Sequence, residues 1–595
     1  MKKALPLYLI VIATFFLLIA DSLCTTGMFM DGLIYNNVAI NMAEGTCTFW
    51  HPTLSRGLFP EFYEHPPLAM GMLALFFKVF GTSLWVTRLY CMLITALTAY
   101  LMVLIWRRIG YKRETGWLPL LLWILVPAVS LNSHTFMLEC TMSVFVLAAV
   151  LCMIHTAGHN IGRVLWSLLA GVFVFLAFLT KGFTGLYPLV FPLIVWVVER
   201  FFASNSDDKT WNVSLPVALL YTLLPVVSAL CCFGLVWLLC PGAPQFFDTY
   251  FHHQVLAGIS APVVNTRFHI LFKFFEQTAI VWAIFVVVHI VHRFILVNKK
   301  SAPGVLYAET VVEDLVGSTH KINWARRKWQ YFLAFGLLTM AGVLPIMISL
   351  KQRSYYILTV YPFFAIALAA TLNDVVEEWT SKGGRLFHII ASSLAVVLLV
   401  GAWLLNMKYY DKPGREQVMQ NDMRQILPQL EEGEDVAMPY EMRTEYSLIG
   451  YYYREKRVQL YAYLPVFPQD TVAGVPAVTS APAETAPKTA AKPAEAETQE
   501  EESELSYKKD WVFPTVASVV KADKAAKSTA KEEGKKSAKT KDETTEEKAA
   551  PAPLPEPPAD LPLHILTNGT PMGALAPYYQ EIKLNTYQYK LYKRL

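Results

Sequence analysis

The chain has 595 residues, of which 54% are hydrophobic and only 16% charged, too apolar for a soluble multidomain protein and suited to a polytopic membrane protein. Its 51 Lys and Arg against 47 Asp and Glu leave a net charge of +4, spread beside apolar segments as topology signals rather than gathered into a nucleic-acid surface, so nucleic acid is excluded as a partner. The eight Cys show no CxxC or metal-ligand spacing, and most lie in apolar runs where a thiol behaves as a small hydrophobe; only Cys24 and Cys47 share an aqueous loop in which a bridge is sterically open.

The opening "MKKALPLYLIVIATFFLLIADS" has the charged start and apolar core of a signal peptide but no small-residue cleavage site, and reads as an uncleaved first span. Further apolar segments near residues 84–106, 116–132, 136–156, 164–180, 183–202, 213–240, 276–297, 329–349, 354–373 and 386–407 bring the expected total to about eleven spanning helices (11–13). The run 66–80, short and carrying Lys78, reads as an interfacial or re-entrant helix. Basic clusters at "MKK", "WRRIGYKR" (106–113), "NKKS" (298–301) and "WARRK" (324–328) belong on the cytoplasmic side. The same count puts residues 21–83, 241–275, 351–353 and everything after about 408 outside.

Three outer acids then stand out. Asp31 precedes "IYNNVAINMAEG", where Ile34, Val38 and Met42 mark an apolar helical stripe expected to lie flat at the interface. Alone, such an acid is more often solvated or a helix cap than catalytic. Glu64 precedes two prolines that fix the backbone at the start of an apolar run. Glu139 falls at the mouth of a span, where a carboxylate must be paired, hydrated or functional. Lys351 and Arg353 are outer-side cations that run against the usual charge bias, which favours a phosphate-binding role over headgroup contact. His252 and His253 sit in the loop "YFHHQVLAG". A carboxylate and an imidazole, Glu64 and His253, suit a divalent metal ion such as zinc, but two ligands do not make a site, and hydrogen-bonding loop histidines are the preferred reading.

After the last span, residues 408–467 and 561–595 alternate helix-like and strand-like stretches ("REQVMQNDMRQILPQLEEG", "DVAMPY", "RVQLYAYL", "LPLHILTNG", "EIKLNTYQYKLYKRL") and are expected to form a small α/β domain outside the membrane. Residues 468–560, rich in Ala, Pro, Lys, Glu and Thr, cannot pack a core and read as a disordered insertion within it; residues 1–407 form the membrane domain.

Read in order, Asp31 with Tyr35 and "INMAEG", then "FYEHPPL", "FKVFGTSLWVTRL", "LECTMSVF", "FLTKGFTGLYPL" and "SLKQRSYYILTVYP" resemble the polyprenol-phosphate-sugar transferases of the lipid A aminoarabinose transferase and protein O-mannosyltransferase type, members of the C-type glycosyltransferases. The resemblance spans about residues 1–410. It implies catalytic carboxylates at Asp31 and Glu64, and substrate contacts at Tyr35, His65, Glu139, Lys181, Lys351, Arg353 and Tyr356. It also implies a multi-pass enzyme of a bacterial inner membrane, acting at the periplasmic face of the cell envelope. Its donor would be a polyprenyl-phosphate-linked sugar and its acceptor a glycolipid such as lipid A, a glycan or a protein. The pattern departs from relatives where Gly32 replaces an acid, Ile34 replaces Arg and His65 replaces Lys, which removes positive charge near the donor phosphate. The absence of a P-loop or GxGxxG unit favours the lipid-linked donor. A glycolipid transporter or flippase is the alternative, but such proteins carry internal repeats and charges at bilayer depth, and neither is visible here.

Overall fold

The computed structural model describes residues 4–156, 162–202, 213–256, 263–292, 294, 310–313, 319–322, 324–382, 384–463 and 561–595. The expected insertion, 468–560, lies outside the described residues. The chain divides into two units: Met1–Thr53 with Glu61–Arg415, and Leu54–Pro60 with Glu416–Leu595.

The first unit is helical. It runs α1 (Leu5–Leu18), α2 (Met30–Glu44), α3 (Leu68–Phe80), α4 (Leu84–Arg108), α5 (Trp117–Ile124), α6 (Pro127–Ser133), α7 (Leu138–His155), α8 (Gly162–Lys181), α9 (Phe191–Phe202), α10 (Leu215–Leu239), α11 (Ala243–Tyr250), α12 (His269–Val291), α13 (Trp324–Val343), α14 (Tyr361–Lys382) and α15 (Gly384–Lys408). A small antiparallel pair, β1 (Thr310–Glu313) and β2 (Thr319–Ile322), precedes α13. Among the described residues nine helices are long and apolar enough to cross a membrane, or ten if the pair α5 and α6, bent by 88°, is one broken span. Pro127 explains the bend: it opens α6 and forces the residue before it, Val126, into extended geometry. Every span expected from sequence has a counterpart, the eleventh being α1, whose 14 residues are short for a full crossing.

Apolar helices in lipid gain little from burying each other's hydrocarbon, so small residues and hydrogen bonds select their partners. Gly171 of α8 is one case: a Cβ there would lie 2.4 Å from the Pro225 carbonyl oxygen of α10, and Ser228 Oγ donates to the Leu168 carbonyl at 2.8 Å. Asn406 of α15 is another. Its amide donates to Phe16 O of α1 at 3.1 Å and to Ala402 O at 2.8 Å, pinning the last helix to the first. The Cys24 thiol is directed at Asn406 Oδ1, 3.7 Å away, and both Cys24 and Cys47 are free, so the bridge left open by sequence is not formed.

Helix α2 differs from its expectation. Instead of presenting one apolar stripe to an interface, it is buried on all sides from Gly32 to Met42, with Asn36, Asn37 and Asn41 included. Polar partners permit this: Asn36 Nδ2 donates to Thr87 Oγ1 at 2.6 Å and Asn41 Nδ2 to Thr53 O at 2.7 Å. Gly45, at φ +77°, ends the helix in the left-handed conformation.

The second unit carries α16 (Gln417–Ile426), β3 (Asp435–Pro439), α17 (Tyr446–Lys456), β4 (Gln459–Tyr463), β5 (His564–Thr567), β6 (Tyr579–Glu581) and β7 (Lys590–Arg594). The sheet order is β4-β3-β5-β7-β6, with β3 parallel to both neighbours and β7 antiparallel to β5 and β6. The parallel step from β3 to β4 is made through α17, as a crossover requires. Leu54–Pro60, drawn from the loop between Asp31 and Glu64, joins this unit: Ser55 Oγ and Arg56 N both donate to the buried Gln459 Oε1, at 3.2 and 3.1 Å.

Candidate active site

A cavity of about 520 Å³ opens in the first unit, a size suited to part of a small-molecule substrate. Its lining includes Asp31, Tyr35, Glu64, His65, Lys181, Lys351, Arg353 and Tyr356, side chains from four separate stretches of chain. The structure therefore brings together eight of the sequence-selected residues. Glu139 stands just behind the wall, fully buried, with its Oε1 2.5 Å from Lys181 Nζ. His252 does not join them: it is exposed and faces Asp248 at 3.6 Å. The side chain of His253 lies outside the described residues.

Local backbone explains each placement. Asp31 is in the first turn of α2, where a carboxylate is favoured by the unsatisfied N–H groups of the helix start. Gly32 is tightly enclosed: a Cβ would lie 3.1 Å from Thr135 Oγ1 and 3.2 Å from Phe136 N, so a side chain there would need its neighbours to shift by a few tenths of an ångström. Glu64 and His65 precede Pro66 and Pro67, whose rings set the backbone leading into α3. Lys181 is the last residue of α8, and Gly182 ends the turn at φ +82° with its would-be Cβ only 2.0 Å from Tyr250 Oη. The left-handed φ demands glycine there, and the Tyr250 hydroxyl occupies the space a side chain would need.

The cationic stretch is held from beneath. Gln352, 1% exposed, accepts from Ile270 N at 2.7 Å and donates to Arg267 O at 3.0 Å and Ser349 O at 2.7 Å. With this middle residue anchored inward, Lys351 and Arg353 on either side reach the cavity.

Electrostatics follow from this crowding. Burial first, then Asp31, Glu139 and Glu64, hold the Tyr35 phenol well above its usual range, so it stays a hydrogen-bond donor among three carboxyl groups. Burial, reinforced by Lys181 and Lys351, holds His65 well below the usual histidine range. The imidazole is thus neutral near pH 7 and adds no positive charge to the cavity. Its ring meets Tyr35 edge-on, with centroids 5.5 Å apart. Lys181 Nζ lies 5.5 and 5.0 Å from the ring centroids of Tyr355 and Tyr356.

Sequence reading missed Tyr250, Tyr355 and Gln352. The first two line the cavity, and the third fixes its cations; only "SLKQRSYY" carried a signal, as a dense polar and aromatic run between two apolar spans. As for a metal, the described residues contain no group of three or more His, Cys, Asp or Glu placed to hold an ion, and no chemical step is assigned to one.

Residues 64–233 match a protein family described as dolichyl-phosphate-mannose-protein mannosyltransferase. No curated protein matches the chain by sequence. The crystal structure of ArnT from Cupriavidus metallidurans bound to undecaprenyl phosphate is similar in fold, with a TM-score of 0.57 and 14% identity over 99% of this chain and 97% of that one. The same protein in the apo state gives 0.54 and 14%, over 97% and 96%. The resemblance to polyprenol-phosphate-sugar-dependent C-type glycosyltransferases, read from the ordered motifs, is borne out.

Proposed function

We propose that the chain is an inverting glycosyltransferase that moves a sugar from a polyprenyl-phosphate carrier to an acceptor hydroxyl or phosphate, on lipid A, another glycolipid, a glycan or a protein, at the periplasmic face of the inner membrane. The observation that carries this reading is the single cavity holding Asp31 and Glu64 together with Lys181, Lys351 and Arg353. Acids and cations in one cleft suit a reaction that takes a proton at one end and releases a phosphate at the other.

The donor is already activated, because a phosphate monoester of the lipid is a good leaving group. The acceptor oxygen attacks the anomeric carbon, the bond from that carbon to the phosphate oxygen breaks, and the electron pair leaves with the lipid phosphate. Asp31 takes the acceptor proton, which requires an approach of about 2.6–3.2 Å in the complex. Lys351 and Arg353 hold the phosphate, and their charge-assisted bonds strengthen as negative charge gathers on the leaving oxygen. Direct attack from the opposite face inverts the anomeric centre. Glu64 and Tyr35 bind and orient the sugar or acceptor, and neutral His65 offers a hydrogen bond rather than a charge.

The test is transfer from a synthetic polyprenyl-phosphate sugar by detergent-purified variants, with donor binding measured separately. Asp31→Asn keeps shape but does not accept a proton, and turnover is expected to fall on the order of 10²–10⁴-fold with donor affinity little changed. Lys351→Ala is expected to weaken donor binding, because its charge acts in the ground state as well as the transition state. Near-normal turnover by Asp31→Asn would remove it as the base and leave Glu64 as the next candidate.

A further inference from the structure

Arg88 is one of the least accommodating residues of the first unit to find inside a membrane helix. It is 2% exposed, sits in the second turn of α4, and directs its guanidinium at backbone carbonyls. Nη1 donates to the His134 carbonyl; Nη2 donates to the Gly27 carbonyl at 2.8 Å and approaches Thr25 O at 3.4 Å. The fork of the guanidinium thus spans two stretches of chain more than a hundred residues apart, a task that its fixed planar donors suit and a single ammonium does not.

Both stretches lead directly to acids of the cavity. Gly27 lies four residues before Asp31, and His134 five before Glu139. The first turn of α2 lies close against the second lead-in, since a Cβ on Gly32 would come within 3.1 Å of Thr135 Oγ1 and 3.2 Å of Phe136 N. The neighbouring residue adds a second tie, for Thr87 Oγ1 accepts from Asn36 Nδ2 of α2 at 2.6 Å. One turn of α4 therefore grips α2, its lead-in and the lead-in to α7.

We infer that Arg88 is a positioning residue: by bridging the Gly27 and His134 carbonyls it sets Asp31 at the mouth of α2 against Glu139 and Lys181 at the mouths of α7 and α8. The inference rests on the proposed role of Asp31 as base. Arg88 itself does not line the cavity and touches no reacting atom. Its effect passes through the backbone, where a displacement near 1 Å in a reacting group is enough to lower turnover on the order of 10²-fold.

The experiment uses the full chain in detergent with Arg88→Lys and, in case that variant does not accumulate, Arg88→Gln. Turnover of a synthetic polyprenyl-phosphate sugar is expected to drop on the order of 10²-fold while donor affinity holds, because the phosphate-binding cations are untouched. Amide hydrogen exchange is expected to rise at residues 25–33 and 134–140 and not across the other spans. In the Asp31→Asn background, Arg88→Lys is expected to add less than about a twofold further loss, since residues that act through one another are not additive. Normal turnover in the Arg88 variants, evenly raised exchange throughout the helices, or a full additional loss on top of Asp31→Asn would each overturn the inference, the last two by showing a general structural role. Should Asp31→Asn alone turn over normally, the general-base reading fails. Exchange at the two lead-ins and turnover of Arg88→Lys then decide the positioning role without it.

Discussion

The two units treat a buried carboxylate in opposite ways. In the tail unit Asp422 of α16 is fully buried with both oxygens hydrogen-bonded: it accepts from Tyr587 N at 2.7 Å, Gln588 N at 2.6 Å and Tyr589 N at 3.0 Å, fixing the turn before β7. Glu434 is likewise taken up, 2.5 Å from His564 Nδ1. In the membrane unit Glu139 is equally buried, but one oxygen meets Lys181 and the other has no hydrogen-bond partner among the described residues. Asp31 and Glu64 open onto a cavity. A carboxylate whose two oxygens are both held by the protein's own donors serves the fold, whereas one that faces a cavity is placed to meet a substrate. The difference separates structural acids from candidate chemical ones more sharply than burial does.

The largest expected effect comes from breaking the Glu139–Lys181 pair. Lys181→Met leaves a carboxylate with no compensation in a site 0% exposed, and the variant is expected to lose about 3–5 kcal/mol of stability. Adding Glu139→Gln to it is expected to recover most of that loss, because the uncompensated charge is gone. Thermal unfolding of the purified single and double variants measures both. A single variant as stable as the parent would mean that the pair contributes nothing to holding α7 against α8.

Asp422→Asn tests the other side. The amide keeps one acceptor but turns an NH₂ toward backbone donors, so at least one charge-assisted bond is lost and the tail unit is expected to weaken by about 2–3 kcal/mol. Limited proteolysis near residues 587–589 reads the loss, and binding of the lipid-phosphate donor is expected to stay unchanged. Weakened donor binding with an intact tail would contradict the division between structural and chemical acids.

Much of the membrane unit was legible because apolar length is a local property: each span announces itself within about 20 residues. The cavity residues were legible for another reason, the ordered motifs, since no periodicity brings Asp31, Lys181 and Lys351 to one place. What stayed hidden depends on contacts distant in sequence. Burial of α2 on every side could not be read from Ile34, Val38 and Met42, because it depends on Thr87 and Thr53, distant in sequence or beyond the helix, which take up the amide groups of Asn36 and Asn41. Arg88 read as one more letter of "SLWVTRL", and its grip on Gly27 and His134 exists only in the folded chain. Gly32 and Gly182 read as a departure and a motif letter until their neighbours filled the space where a Cβ would go.

The deepest such case is the segment Leu54–Pro60, and it supplies the smallest expected effect. Between two proposed active-site acids in sequence, it nevertheless belongs to the tail unit. Strand β4 is an edge of the five-stranded sheet, and an uncovered edge carries unpaired backbone groups. Leu54, Leu58 and Phe59 are buried, Phe59 meets Tyr446 with ring centroids 5.3 Å apart, and Gly57 presses on the strand so closely that a Cβ would lie 2.5 Å from Leu460 O. Backbone cannot yield as a flexible side chain would, so Gly57→Val must push the segment off β4. Overpacking typically costs about 1–3 kcal/mol, and a short segment free to shift belongs at the lower end, about 1 kcal/mol. Hydrogen exchange is expected to quicken at residues 54–60 and at Gln459–Tyr463 while β5 and β7 keep their protection. If exchange at 54–60 is unchanged in Gly57→Val, the segment is not held against the strand, and the loop between Asp31 and Glu64 is restrained by the membrane unit alone.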